Sequence, residues 1–342
     1  MKKMNLVAIL GAILAFSVLI IVHELGHFTL AKLNGVRVEE FAIGMGPKVI
    51  SKKGKETTYS LRLFPIGGFV NMMGEEEAVQ DKRSFSEKSP LRRISIIVAG
   101  AFMNYILAII IFACIAGKFG YAVPEVANVL PGYPAIEAGL KEGDRVLKID
   151  DSKVFTQDDV TIGILMAKGE PVDLTVKRGN EVKNFTIKPK LSEENQYMIG
   201  VGFAAERNPG IGASLKHSVN KTASLVSQTF KGLKMIFTGK SNLKTDVGGP
   251  LTIIKMSAKT AESGIWSLMR FVGFISVSLA VFNMLPFPAL DGGWTVILLI
   301  ELITRRKVPN KIVENLNYVG FMLLIGLMIL VTIKDIIFPV KF

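Results

Sequence analysis

Residues Ile94–Ala116 read ISIIVAGAFMNYILAIIIFACIA, a run without one charged side chain. A helix crossing a bilayer needs about 20 apolar residues, and this run supplies them by itself. Three more apolar blocks stand around it: Leu6–Val22, Phe271–Leu285 continued after a break by Trp294–Ile300, and Val319–Ile333. The first and last reach spanning length once their polar flanks sit at the interface. Hydrophobic residues fill 49% of the 342 positions although 20% are charged, so the apolar side chains are gathered in blocks and not spread through a soluble core. The pattern predicts a polytopic α-helical membrane protein with four transmembrane helices.

The formal charge is +12 and the pI near 9.6. A nucleic-acid binder can carry such a balance. Here the placement matters more than the total. Twelve Lys and Arg residues lie within Lys32–Arg93, and others follow at Arg305, Arg306, Lys307 and Lys311. By the positive-inside rule both segments face the cytoplasm. The two termini and Lys118–Arg270 then face outward. The basic charge is read as topology, with no nucleic-acid partner. Lys2 and Lys3 ahead of an apolar core also suit a secretory signal. No small-residue cleavage site follows, and the block runs directly into two histidines, so a retained first helix is expected. Cys114 is the one cysteine, which rules out a disulfide within the chain and a thiol cluster for a metal. It is read as packing material.

The blocks divide the chain. Residues 1–35 form the first transmembrane helix, which ends in His-Glu-Leu-Gly-His. Residues 36–93 are a membrane-associated β region and loop on the cytoplasmic side. There Lys48–Ser51 and Thr57–Leu63 are β-leaning runs joined by the turn signal Lys52-Lys53-Gly54-Lys55. The breakers of Phe64-Pro65-Ile66-Gly67-Gly68-Phe69-Val70 follow, then a polar loop over Gly74–Ser89. Residues 94–117 are the second span. Residues 118–207 are short alternating runs punctuated by Gly and Pro. Residues 208–266 show Leu215, Val219, Thr222, Leu225, Val226, Thr229, Leu233 and Ile236 at helical spacing, an amphipathic helix on the outer membrane surface or packed on the preceding domain. Residues 267–303 are the third, broken span. Residues 304–342 hold a short cytoplasmic loop and the fourth span.

His23-Glu24-Leu25-Gly26-His27 fits H-E-x-x-H. On a helix, residues four apart share a face, so both imidazoles reach one metal ion while Glu24 lies beside it as general base. Polar residues on an apolar helix are costly and usually functional. A third protein ligand is needed. His217 is the only other histidine, and topology places it on the opposite side of the membrane. Asp291 is the candidate, inside Asn283-Met284-Leu285-Pro286-Phe287-Pro288-Ala289-Leu290-Asp291-Gly292-Gly293, where two prolines and two glycines break the third span at the depth of His23 and His27. A helix N-cap for Trp294–Glu301 is the other reading of Asp291, and both can hold together.

Pro134-Ala135-Ile136-Glu137-Ala138-Gly139-Leu140 followed by Gly143-Asp144-Arg145-Val146-Leu147-Lys148-Ile149 resembles the PDZ domain. HELGH paired with NMLPFPALDGG around an inserted PDZ domain resembles the site-2 protease family of bacterial intramembrane metalloproteases, in particular its regulator of sigma-E protease group. The resemblance covers nearly the whole chain. It implies one Zn²⁺ held by His23, His27 and Asp291, with Glu24 as catalytic base. It implies that Asn283 and Pro286 of the N-x-x-P element hold substrate or orient the site, and that Gly67, Gly68, Phe69 and Val70 belong to a β region pairing with an extended substrate. The expected enzyme is a metalloendopeptidase of the bacterial inner membrane, cutting single-span membrane proteins such as anti-sigma factors or remnant signal peptides in regulated intramembrane proteolysis. Its partners are those substrates and the bilayer. Relatives commonly carry two PDZ domains and this chain one, which leaves open whether that domain binds a peptide terminus, filters by size or shields the site. Two other classes compete: a non-catalytic membrane scaffold presenting a PDZ domain, in which Glu24 is dispensable, and a transporter, which needs two repeated halves that this sequence lacks.

Overall fold

The computed structural model describes residues 6–75, 77, 79–239, 241, 242, 244 and 247–339; Lys2 and Lys3 lie outside the described residues. In chain order the elements begin with α1 Leu6–Leu33, β1 Val38–Lys53, β2 Thr58–Met72 and α2 Pro90–Phe119. There follow β3 Tyr121–Val129, α3 Pro134–Glu137, β4 Arg145–Ile149, β5 Ser152–Lys153, α4 Gln157–Met166, β6 Val172–Arg178, β7 Glu181–Ile187, β8 Lys190–Leu191, β9 Tyr197–Met198 and β10 Val201–Glu206. The chain ends with α5 Ile211–Phe237, α6 Pro250–Glu262, α7 Ile265–Asn283, α8 Asp291–Thr304 and α9 Asn310–Ile337. Two compact units result, Met1–Ala108 with Gly232–Phe342, and Ile109–Lys231.

Among the described residues four helices are long and apolar enough to cross a membrane: Ile13–Leu33, Pro90–Phe119, Ile265–Asn283 and Lys311–Ile337. Large apolar side chains stay exposed along α9, among them Phe321, Leu323, Leu327 and Leu330. A helix apolar on its outer face suits lipid and not water. Cys114 is exposed on α2, so it is not the packing residue expected from its place in an apolar block.

In the first unit, α1 does not end with HELGH. It continues to Leu33 because Ala31, with Phe28 and Leu30 beside it, packs against Val36, Val38, Phe41 and Phe85. The histidines therefore sit inside the helix. After it, β1 and β2 form an antiparallel hairpin whose turn is closed by the Gly54 N–H donating to Thr57 O at 2.9 Å. The expected breakers of Phe64–Val70 do not end β2. Repeated register shifts absorb them, and Glu40–Ile43 pairs on one side with Thr58–Leu61 and on the other with Gly68–Asn71. The result is in effect four antiparallel segments in the order 48–53, 58–62, 38–43, 68–72, with Gly68–Met72 on an edge. Among the described residues no strand pairs with the outer side of that edge. Glu40 ties the sheet together: Ser60 Oγ donates to it at 2.5 Å, Arg62 at 2.9 Å and Lys48 at 2.9 Å. Burial pushes the Glu40 carboxyl up, but these three donors outweigh it and hold the pKa at about 2.

The second unit is an antiparallel sheet in the order β10-β3-β4-β6-β7, with β5 on β4. Val172, Leu174 and Val176 alternate inward along β6 and meet Val146, Ile149 and Val160. The sequence motif earns its residues structurally. Ala135 and Leu140 are core, and the fully buried Asp144 accepts a fork from Arg178 at 2.7 Å to each oxygen. Gly143 adopts φ +84°, which a side chain disfavours.

Residues 208–266 are expected as an amphipathic linker, on the membrane surface or packed on the preceding domain; Ile211–Lys231 belongs to this second unit. The face of α5 that packs is only partly its apolar stripe. Thr222 and Leu225 of that stripe are buried together with Ser214, Ser218 and Ser224, while Leu215 and Val219 are exposed. The small hydroxyl face allows close approach to the start of α4. There Asp159 accepts from Ser224 Oγ at 2.7 Å and Gln228 Nε2 at 3.1 Å while its other oxygen caps Phe155 and Thr156 N–H. Lys221 pairs with Asp158.

Candidate metal centre

The apolar face of α1 brings His23 and His27 over α2. Both rings are buried, and their Nε2 atoms lie 3.1 Å apart. The N-terminus of α8 completes the group: Asp291 Oδ2 is 3.2 Å from His23 Nε2 and 3.6 Å from His27 Nε2. Asp291 is not the N-cap. Leu290 holds that position, and Asp291 is the first residue of the helix with its carboxylate turned to the histidines. Its Oδ2 is buried without a hydrogen-bond partner. Three ligand atoms about 2.0–2.1 Å from a tetrahedral zinc ion are about 3.3–3.4 Å from each other. The three distances here match that triangle, and the orphaned Oδ2 is the atom a cation would satisfy. The residues therefore fit a metal ion.

The tautomers agree. His27 Nδ1 faces the Ile96 carbonyl at 2.9 Å, and a carbonyl only accepts, so Nδ1 carries the proton and Nε2 keeps its lone pair for a metal. His23 Nδ1 faces the side-chain amide of Asn104 at 3.4 Å. Asn104 is fully buried and its Oδ1 has no partner. A half-turn of that amide lets Oδ1 accept from His23 Nδ1–H, which leaves His23 Nε2 bare as well.

Glycine makes the approach of α1 to α2 possible. A Cβ on Gly26 would stand 2.3 Å from Ala99 O, and one on Gly100 2.4 Å from His27 Nε2. The loop 284–290 is drawn in likewise, since a Cβ on Gly292 would stand 2.1 Å from Leu285 O. Asn317 Oδ1 accepts from Ala289 N–H at 3.1 Å and pins that loop from α9.

The remaining expected residues divide. Glu24 follows His23 on α1, near the sheet edge: its Cγ is 3.5 Å from where a Gly68 Cβ would be, and its carboxylate takes a backbone hydrogen bond from Val70. Gly67 is buried, and Phe69 lies under the Arg62 guanidinium at 4.7 Å. Asn283 Nδ2 is 3.4 Å from His23 Nε2, at the group itself. Pro286 is exposed in the loop. His217 is not part of the group; in the second unit it stacks on Tyr121 with centroids 3.9 Å apart. Burial and then Lys221 push its pKa down to about 4.

Sequence reasoning missed Gly100 and Asn104. The second span was read only as free of charge. An asparagine in such a span was the available signal, because an amide in lipid needs a partner.

A comparison with protein families matches residues 11–327 to a model described as peptidase family M50. That span takes in both histidines, the glutamate and the aspartate. The chain belongs to peptidase family M50. Its relatives agree over full length. A Clostridium perfringens protein described as a "putative zinc metalloprotease" is 55% identical over 332 residues, 97% of this chain and 99% of the relative. One from Clostridium acetobutylicum with the same description is 44% identical over 340 residues, 99% and 100%. The zinc metalloprotease RasP of Geobacillus kaustophilus is 29% identical over 414 aligned positions, 97% and 98%. This M50 chain is a peptidase, and the His-His-Asp group gives it the ligand set of a metallopeptidase.

Proposed function

We propose that the chain is a zinc metalloendopeptidase that cuts single-span membrane proteins within the bilayer. The observation that carries this reading is the triangle of His23, His27 and Asp291 with Glu24 beside it, on a helix long and apolar enough to cross a membrane. His23 and His27 Nε2 and Asp291 Oδ2 would hold Zn²⁺, one per chain. Bound there, zinc would polarise the scissile carbonyl and favour the deprotonation of water. Glu24 takes the proton from the attacking water and passes it to the leaving amine as the C–N bond breaks and a C–O bond forms. The Asn283 side-chain N–H is placed to hold a substrate carbonyl, and Pro286 shapes the loop that carries it.

A helix must unwind before its backbone can be cut, and an extended strand needs partners in a medium without water. The edge strand that begins at Gly68, Phe69 and Val70, just after Gly67, runs beside Glu24, which already accepts from the Val70 backbone; this supports strand addition as the mode of substrate binding. The crowding of Lys and Arg into residues 32–93 and 305–311 supports an active site near the cytoplasmic face of the cell membrane, with both termini and residues 118–207 outside. Those residues are assigned as one PDZ domain on their motif and antiparallel sheet. By resemblance, the substrates are anti-sigma factors or remnant signal peptides in regulated intramembrane proteolysis.

The test is reconstitution with a single-span substrate and mass analysis of the fragments. Wild type cuts within the span, Glu24→Gln keeps its zinc and does not cut, and Asp291→Ala loses zinc. Cleavage by Glu24→Gln, or full zinc in Asp291→Ala, overturns the assignment.

A further inference from the structure

A cleft of about 790 Å³ opens beside the free edge of β2. Phe69, Val70 and Asn71 form one wall, Trp294 of α8 and Asn317 of α9 the other, and Arg93 lines it as well. The strand edge joins this cleft to the catalytic group, because Gly68 lies against Glu24 and the next three residues line the cleft. At about 3.3 Å per residue, a peptide paired with that edge enters the cleft about one residue from its scissile bond and runs along it for the next few.

The charge of the lining points to an occupant. Arg93 is 8% exposed and binds Glu301 through Nη1 at 2.8 Å. Glu301 is spent on Arg93 and on the Val308 N–H. Glu77 and Glu314 also line the cleft, and neither forms an ion pair among the described residues. The unspent charge is negative although the surrounding sequence is strongly basic.

On the function and orientation proposed above, the cleft lies on the cytoplasmic side, where membrane proteins concentrate Lys and Arg next to their spans. We propose that this cleft receives the cytoplasmic flank of the substrate as an extended strand, and that Glu77 and Glu314 select flanks carrying Lys or Arg. The carboxylates read the side chains of that strand.

The experiment uses the full-length protein in vesicles and two synthetic single-span peptides, identical except for four lysines or four glutamates on the cytoplasmic flank. Rim carboxylates contribute about two- to fivefold each in binding. Wild type should show a KM several-fold lower for the lysine peptide, with kcat nearly the same for both. Glu77→Lys with Glu314→Lys should reverse the preference. Equal KM values for the two peptides overturn the charge selection. A second measurement does not depend on turnover. In a Glu24→Gln, Cys114→Ser background, Ser86→Cys at the cleft should form a disulfide on oxidation with a cysteine about five residues into the peptide's cytoplasmic flank, and not with one at its outer end. No such crosslink overturns the cleft as the binding site, even if the protein cleaves as proposed. A crosslink without any wild-type cleavage supports the cleft and refutes the activity.

Discussion

Gly100→Ala puts one methyl group into the metal centre. Its carbon would lie 2.4 Å from His27 Nε2 and 2.7 Å from His23 Cε1, where ordinary contact begins at 3.4 Å. One partner must therefore move by about 1 Å. His27 is held from the other side by the Ile96 carbonyl, so its ring cannot swing without losing that bond. If α2 retreats instead, the contact of Gly26 with Ala99 opens and the Ile96 carbonyl leaves with it. Metal-ligand distances tolerate only about 0.2 Å. Disturbing the groups that orient a ligand costs about 10–100-fold in metal affinity, or about 1.4–2.7 kcal/mol. Direct displacement of two ligands belongs at or above the upper end. The assay is zinc content of the purified protein over a series of buffered free-zinc concentrations, with proteolysis measured in parallel. Gly326→Ala is the control, since a Cβ there meets nothing within 4 Å. Expected is a saturation curve displaced by at least 10-fold for Gly100→Ala and unchanged for Gly326→Ala. A Gly100→Ala protein with wild-type zinc affinity and activity would refute both the packing argument and the placement of α2 at the centre.

Three further outcomes are expected. Asn104→Ala removes the amide behind His23 and should weaken zinc binding about 10-fold, while Asn104→Ser, which keeps an acceptor, recovers part of it; identical zinc curves for both would separate Asn104 from the site. The Glu40 carboxyl titrates below its unfolded value, so its contribution to stability is complete above about pH 4.5 and lost as pH falls through about 2. Thermal unfolding in detergent should therefore show a steeper loss below pH 4.5 in wild type than in Glu40→Gln, and parallel curves would contradict it. Asp159→Ala strips the acceptor from Phe155 N–H, Thr156 N–H and Ser224 Oγ and should destabilise the second unit by about 2–4 kcal/mol. Denaturant unfolding followed by proteolysis within residues 109–231 measures it.

Much of the centre was legible because its signals are local. HELGH places two ligands and a base by helical periodicity alone, and Asp291 stood out as a carboxylate in an apolar, broken span. The four blocks that give the spanning helices were legible for the same reason, since about 20 apolar residues in a row have few other uses. HELGH does not mark the end of α1, because the packing of Ala31 and Phe28 on residues distant in sequence carries the helix to Leu33, within the 1–35 expected for it. The sequence left open whether α5 packs on the preceding domain or lies on the membrane, and the face that packs was only partly legible: beside Thr222 and Leu225 of the stripe, Ser214, Ser218 and Ser224 are buried, because Asp159 needs donors.

The sequence by itself determined a membrane-spanning helical chain and the chemical types of its ligands, because hydropathy and i, i+4 spacing act over a few residues. Only the tertiary structure decided that Asp291 Oδ2 falls 3.2 Å from His23 and that Gly100 and Asn104 stand behind the histidines. It also left Gly68–Met72 on an open edge. Those facts depend on how closely backbones from distant segments approach, and that is set by where side chains are missing as much as by where they are present.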